Sequence, residues 1–308
     1  MTAIAAVKIE KTAYAGWPNC YRVTNGEVEL IVTTDVGPRV IRYGFVGGQN
    51  IFKEFTPQMG KSGEKEWMPR GGHRVWAAPE HKIITYALDN GPVKAEIKGD
   101  TIELTQPVEP ESGLQKQIIV KLAATGSKVE VIHRLTNTGT KLNELAPWAL
   151  TMMAQGGTAI TGFPPRGVHP RDLDPTNPLT MWAYTDFSDP RWKFMKKYLI
   201  LKQDRAATTA QKTGLFNKNT WGAYLLGSDL FTKRCAGQPG KPYPDYGLSF
   251  ETFTNNEFLE LETLGPLQKL PKGSTAEHTE RWSLHKNVTV AQWSDDGLDT
   301  VVLPLVLQ

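Results

Sequence analysis

The chain has 308 residues, 40% of them apolar and 22% charged, with a net charge of +3. That balance sets up no strong field toward nucleic acid or an anionic membrane, and no stretch approaches the ~20 apolar residues of a membrane-spanning helix. The two cysteines, Cys20 and Cys235, lie far apart without C-x-x-C spacing, so neither a disulfide framework nor a structural zinc site is indicated.

In chain order the signals are those of strands. The opening apolar run is short and broken by Lys8 and Lys11, unlike a secretory signal, and a cytoplasmic location is the expectation. Residues 20–34, CYRVTNGEVELIVTT, predict a hairpin turning at Asn25-Gly26. RVIRYGFV follows, then a turn at Gly47-Gly48 and NIFKEF. HKIITYAL, VKAEIKGDTIELTQPV and QKQIIVKLAATGSKVEVIHRLTNTG continue the pattern, with turns at Lys98-Gly99-Asp100 and Thr125-Gly126-Ser127. In KVEVIHRLTN the alternation puts Val129, Val131, His133 and Leu135 on one face.

Residues 155–244 are rich in Pro, Gly, Trp and Asp and read as a long loop-rich insertion, with WKFMKKYL as the best helix candidate. Strands return at WGAYLLGS, YGLSFETFT, EFLELETL and HTERWSLHK. There is no internal repeat and no linker, so one domain over 1–308 is expected. Antiparallel strands on short turns point to an all-β protein, a large sandwich or barrel.

Several stretches hold candidate chemistry. In EFLELETL, alternation places Glu260 and Glu262 on one face, roughly 7 Å apart. Two carboxyls at that spacing can act on one substrate, or form a solvated face paired to a cation such as Arg281. In the stretch 67–81, Arg70, Arg74, His73, His81, Glu80 and two tryptophans crowd around Gly71-Gly72. Arginine forks suit hydroxyls or carboxylates and tryptophan faces suit sugar rings; a structural Gly-Gly turn is the alternative. Trp148 reads as core or as a ligand platform. The loops add His169, Trp182 and Tyr184, and Tyr243-Pro244-Asp245-Tyr246 suits a sugar site or a plain turn. His133, or His81 with Glu80, lacks the spacing of a metal set, and no nucleotide or hydrolase fingerprint is present.

Taken together, LETLGPLQKLPKGSTAEHTERWSL, RVTNGEVELIVTTDVGPRVIRYGF and HRLTNTG resemble the aldose 1-epimerase (galactose mutarotase-like) superfamily. The chain looks most like a bacterial branch of it described as a domain of unknown function, DUF4380-like. The resemblance implies a large antiparallel β-supersandwich with an open sugar site on the concave face of one sheet. It also implies a cofactor-independent reaction in which a glutamate takes the proton of the anomeric hydroxyl while a histidine protonates the ring oxygen.

Position by position, Glu262 falls on the family's base. The family's histidine has no counterpart, since the corresponding region reads Ala146-Pro147-Trp148-Ala149-Leu150-Thr151, and Arg70 stands at a second family histidine. The acid role therefore passes to His73 first and His169 second. Arg70, Arg74, Trp148, His169, Trp182 and Asp245 are the expected sugar-binding residues. The arginines would suit an acidic or phosphorylated sugar. The partner expected is a small-molecule carbohydrate, with no cofactor, metal, nucleic acid or membrane. An aldose epimerase or mutarotase, a non-catalytic sugar-binding protein, and a lyase or hydrolase of an acidic sugar all remain open.

Overall fold

A computed structural model describes residues 6–141 and 144–308. Two large antiparallel sheets face each other. The first runs Lys8–Tyr14, Trp17–Thr24, Val28–Thr33, Arg39–Phe45, His73–Ala78, Glu144–Met153, Leu259–Leu264, Phe250–Thr254, Gln211–Leu215, Leu179–Met181. The second runs Trp192–Phe194, Tyr198–Lys202, Thr158–Gly162, Asn219–Leu226, Asp229–Ala236, Thr275–His285, Val129–Asn137, Leu114–Leu122, Thr101–Thr105, Lys94–Lys98. This is the expected all-β sandwich.

Alternation fills the space between the sheets. Val129, Val131, His133 and Leu135 all point inward, as their period-2 spacing requires. Tyr43, Phe52, Phe231 and Trp282 pack edge to face at centroid spacings of 5.6 to 6.1 Å. The outer face of the second sheet is covered by the C-terminal helices Asp295–Val301 and Leu303–Val306, through Leu298, Val302 and Val306. Ser294 caps the first of them, its hydroxyl accepting from the Gly297 amide at 3.1 Å.

Three local expectations change. Residues 155–244 hold seven strands, and the WKFMKKYL segment forms two short strands joined by a turn rather than a helix. Most of the prolines of 155–244 mark the loops 163–178 and 182–191 between strands, whereas Trp192 and Trp221 lie within strands. HKIITYAL is a turn, closed by the Thr85 amide donating to the His81 carbonyl, and NIFKEF makes only isolated bridges, Phe52 to Met153 and Glu54 to Gly71. Gly71-Gly72 is a structural device. Gly72 has a φ of 68°, and a Cβ there would lie 2.3 Å from the Val40 carbonyl oxygen. Only glycine lets the chain press against Arg39–Phe45 before entering His73–Ala78.

A polar network centred on one ion pair stands in the middle of this core. Lys233, wholly buried, reaches from the second sheet toward the first and pairs with buried Glu280 at 2.6 Å. Lys233→Met leaves Glu280 buried without its counter-charge and should lower stability by about 3–5 kcal/mol. Urea denaturation checks this, and adding Glu280→Gln should recover part of the loss.

Candidate functional site

Strand register builds a grid on the outward face of the first sheet. Arg74 lies opposite Leu150, Leu150 opposite Glu262, Glu262 opposite Glu251, and Glu251 opposite Gly214. The next row is Met152, Glu260, Phe253 and Lys212. On the far side of the first row, Trp148 sits between Trp76 and Leu264. Of these rows, Arg74, Leu150, Met152, Glu260, Phe253 and Lys212 floor a cleft of about 250 Å³ walled by Trp67, Trp76, Tyr86, Trp148, Tyr184 and Phe258, while Glu251 and Glu262 lie fully buried beneath it.

Two glutamates directly opposite each other repel. Lys212 resolves this at the Glu251–Glu262 pair, its Nζ lying 2.7 Å from Glu251 and 3.1 Å from Glu262. The ammonium also sits over the rings of Trp148 and Trp182, at 4.8 and 4.6 Å. Burial alone would depress the Lys212 pKa, but the Glu251 and Glu262 carboxylates outweigh it and raise it well above the ordinary lysine value. Oε2 of Glu262 accepts from the Trp148 indole at 2.8 Å and from Lys212, while its Oε1 is buried with no partner. Arg74 stacks on Trp76 at 4.2 Å and donates to Glu260 at 3.2 Å. Burial raises the Glu260 carboxyl to about 7, against the pull of Arg74 and with added repulsion from Glu262. Burial likewise raises Glu251 well above the carboxylate range, and raises half-buried Asp245.

Of the sequence-expected residues, Arg74 and Trp148 line this cleft; Glu262 is buried behind it against Trp148 and Lys212, Trp182 reaches it only through the Lys212 ammonium, and Asp245 does not line it. Asp245 and Tyr246 both have left-handed backbones, at φ of 54° and 67°, beside the site. The other expectations are corrected. His73 directly precedes Arg74 and so points to the opposite face of the sheet, fully buried between the layers. Arg70 is buried in a two-pronged pair with Glu64 and does not line the cleft. His169 lies exposed in the 163–178 loop and does not line it either. Arg281 pairs with Glu130 on the exposed face of the second sheet and touches neither Glu260 nor Glu262. Lys212 and Glu251 were missed. The signal for both was a charged residue within an otherwise apolar or Thr-rich strand, QKTGL and FETFT.

Behind the cleft, between the sheets, His73, His133 and Glu280 bring three ligand-type atoms within 4.8 Å of one another. Their hydrogen bonds close without an ion. Lys233 donates to the Thr151 hydroxyl, which must then donate to Nδ1 of His73; Nε2–H of His73 donates to Nε2 of His133 at 2.7 Å; Nδ1–H of His133 donates to the His278 carbonyl at 2.9 Å. Thr263 donates to Glu280 and accepts from Nε2–H of His278. Burial, with Lys233 nearby, holds His73 well below the ordinary histidine value and His278 at about 3. Burial would raise Glu280, but the Lys233 ammonium overcomes it and holds it low. The site is thus three neutral imidazoles around one ion pair, and Lys233 stands where a dication would be repelled.

No family profile matches the chain, and no curated protein matches it in sequence. Solved structures do match in shape. A galactose mutarotase-like protein of Lactobacillus casei superposes with a TM-score of 0.55 at 11% identity, covering 87% of this chain and 100% of that one. The chain has the galactose mutarotase-like fold. A Klebsiella pneumoniae protein provisionally named an aldose 1-epimerase gives 0.55 at 9% identity, over 91% of this mutarotase-like chain and 84% of that one. A TPR-domain containing protein of Parabacteroides distasonis gives 0.51 at 15% identity, over 86% of this chain and 46% of that one.

Because Lys233 already neutralises Glu280, zinc or chelator should leave the thermal midpoint unchanged. Differential scanning fluorimetry with each additive checks this, and a rise of several degrees with zinc would mean that a metal displaces the His73–His133 bond.

Proposed function

We propose that the protein binds a small sugar in this cleft and interconverts its anomers, with Glu262 as general base and Glu260 as general acid. The observation supporting this most strongly is the pair itself. Two carboxyls lie on one strand face: Glu260 lines the aromatic-walled cleft, and Glu262 is buried directly beneath it against the lining residues Trp148 and Lys212. Glu262 keeps Oε1 free, while the Trp148 indole and the Lys212 ammonium hold Oε2 in place. Glu260, pushed up to about 7, retains a proton to give near neutral pH.

The reaction balances within the sugar. Glu262 takes the proton of the anomeric hydroxyl as Glu260 gives its proton to the ring oxygen. The bond from C1 to the ring oxygen breaks, leaving an open-chain aldehyde. Rotation about the C1–C2 bond and ring closure on the other face return both protons. Tryptophan faces bury the C–H side of the ring, and Arg74 offers Nε and Nη1, both buried and unpartnered, to ring hydroxyls. The fold shared with the mutarotase-like structures is in keeping with this reading.

Exchange spectroscopy by NMR on a panel of aldoses tests it. Glu262→Gln and Glu260→Gln should each slow enzyme-dependent exchange by about a hundredfold or more. A bound sugar with no accelerated exchange in the wild type would make the protein a binding module. The pH profile carries the sign of the acid assignment: Glu260 is competent only while protonated, so exchange should fall as pH rises through about 7. That limb should be missing in Glu260→Gln.

A further inference from the structure

One wall of the cleft holds three donors that have no acceptor. Arg74 lines the cleft with its guanidinium against the rings of Trp67 and Trp76, at 5.3 and 4.2 Å. Its Nη2 donates to Glu260 at 3.2 Å. Its Nε and Nη1 are buried without a partner among the described residues, and so is the indole Nε1 of Trp67, another lining residue. The two lining carboxyls leave these atoms untouched. Glu260 takes only Nη2, and Glu80 stands on the exposed rim, accepting from the Tyr86 hydroxyl at 2.5 Å. The other lining cation, Lys212, is already held by Glu251 and Glu262. A buried donor without an acceptor is costly, so three on one wall call for a ligand group rich in acceptors.

Resting on the sugar-cleft reading above, we infer that the cleft takes a sugar acid, with the carboxylate carried on ring carbon C5 docking against Arg74 and the Trp67 indole. The position follows from the assigned roles. Glu260 gives its proton to the ring oxygen, and Arg74 is the residue that holds Glu260. Of the two carbons bonded to that oxygen, C1 is served by Glu262, which leaves C5 for Arg74. The group on C5 is then decided by the donors. A carboxylate offers two oxygens and no donor, whereas the hydroxymethyl group of a neutral sugar offers one oxygen and a donor of its own. An ammonium there would meet only donors. A phosphate would bring a second negative charge beside Glu80 and Glu260, which one guanidinium does not offset. Glu260, pushed up to about 7, holds its proton on the acid side of that value and then sets no charge against the incoming carboxylate.

The test is calorimetric titration at about pH 6.5, where a sugar carboxyl is ionised. The ligands are D-glucuronate, D-galacturonate, their neutral parents D-glucose and D-galactose, D-glucuronamide and D-glucose 6-phosphate. At least one uronate should bind at least about tenfold tighter than its parent, with the amide losing that gain and the phosphate binding more weakly than the uronate. Trp67→Phe keeps the ring and deletes one donor; Arg74→Lys keeps the charge and deletes the fork. Each, with a native circular dichroism spectrum, should shrink the uronate-to-parent affinity ratio. Parents binding as tightly as both uronates, the amide matching D-glucuronate, the phosphate binding tightest, or a ratio unchanged in either variant would overturn the inference while leaving the sugar cleft standing. Absence of binding by every sugar would overturn the sugar reading itself, and this inference with it.

Discussion

The architecture depends on a single ion pair placed where charge is least welcome. Lys233 and Glu280 project from neighbouring strands of the second sheet into the space between the layers, both without solvent exposure. Beyond Glu280, the ammonium donates to the Thr151 hydroxyl and to the carbonyls of Ala149 and Leu261 in the first sheet. Thr263 and Trp282 complete the carboxylate, and three neutral histidines fill the remaining polar positions. A buried pair is poor value as a source of stability, because removing both charges from water opposes their attraction. Its geometric demand is another matter: each partner must find its donors and acceptors, so the sheets are held in one register.

That register matters because the braced strands are the ones that build the cleft. His73, Thr151 and Thr263 face the ion-pair network, and their immediate neighbours Arg74, Leu150 and Glu262 face outward in one row. In a strand, two adjacent residues occupy opposite faces, so fixing one side chain inside fixes the direction of the next one outside. The interior network and the cleft are two faces of the same three strands. The cleft then supplies its own electrostatics. Lys212 separates Glu251 from Glu262, Arg74 attends Glu260, and the tryptophans exclude water from both cations.

The legible part of the sequence was whatever period-2 alternation and short turns could encode. The hairpin at Asn25-Gly26, the inward set around His133 and the shared face of Glu260 and Glu262 all follow from the chain alone, because strand periodicity is local. Residues 155–244 were misread because most of their strands are short and the loops between them are dense in proline. The same limit misplaced His73. Its chemistry suited a proton donor, but its position next to Arg74 meant that only one of the two could face the cleft, and the sequence does not say which face is which.

The sequence by itself determined an all-β sandwich, the pairing of Glu260 with Glu262 on one face, and the aromatic and arginine content from which a sugar site could be drawn. Tertiary structure alone decided which face opens as a cleft, which cations reach it and which of the nearby carboxyls are buried beneath it. Lys212 is 50 residues from Glu262 in the chain yet 3.1 Å away in space, and Lys233 is 82 residues from the Thr151 hydroxyl it bonds. Strand periodicity fixes direction over two residues, whereas charge compensation across a sheet, or between two, is a matter of long-range register that no local pattern records.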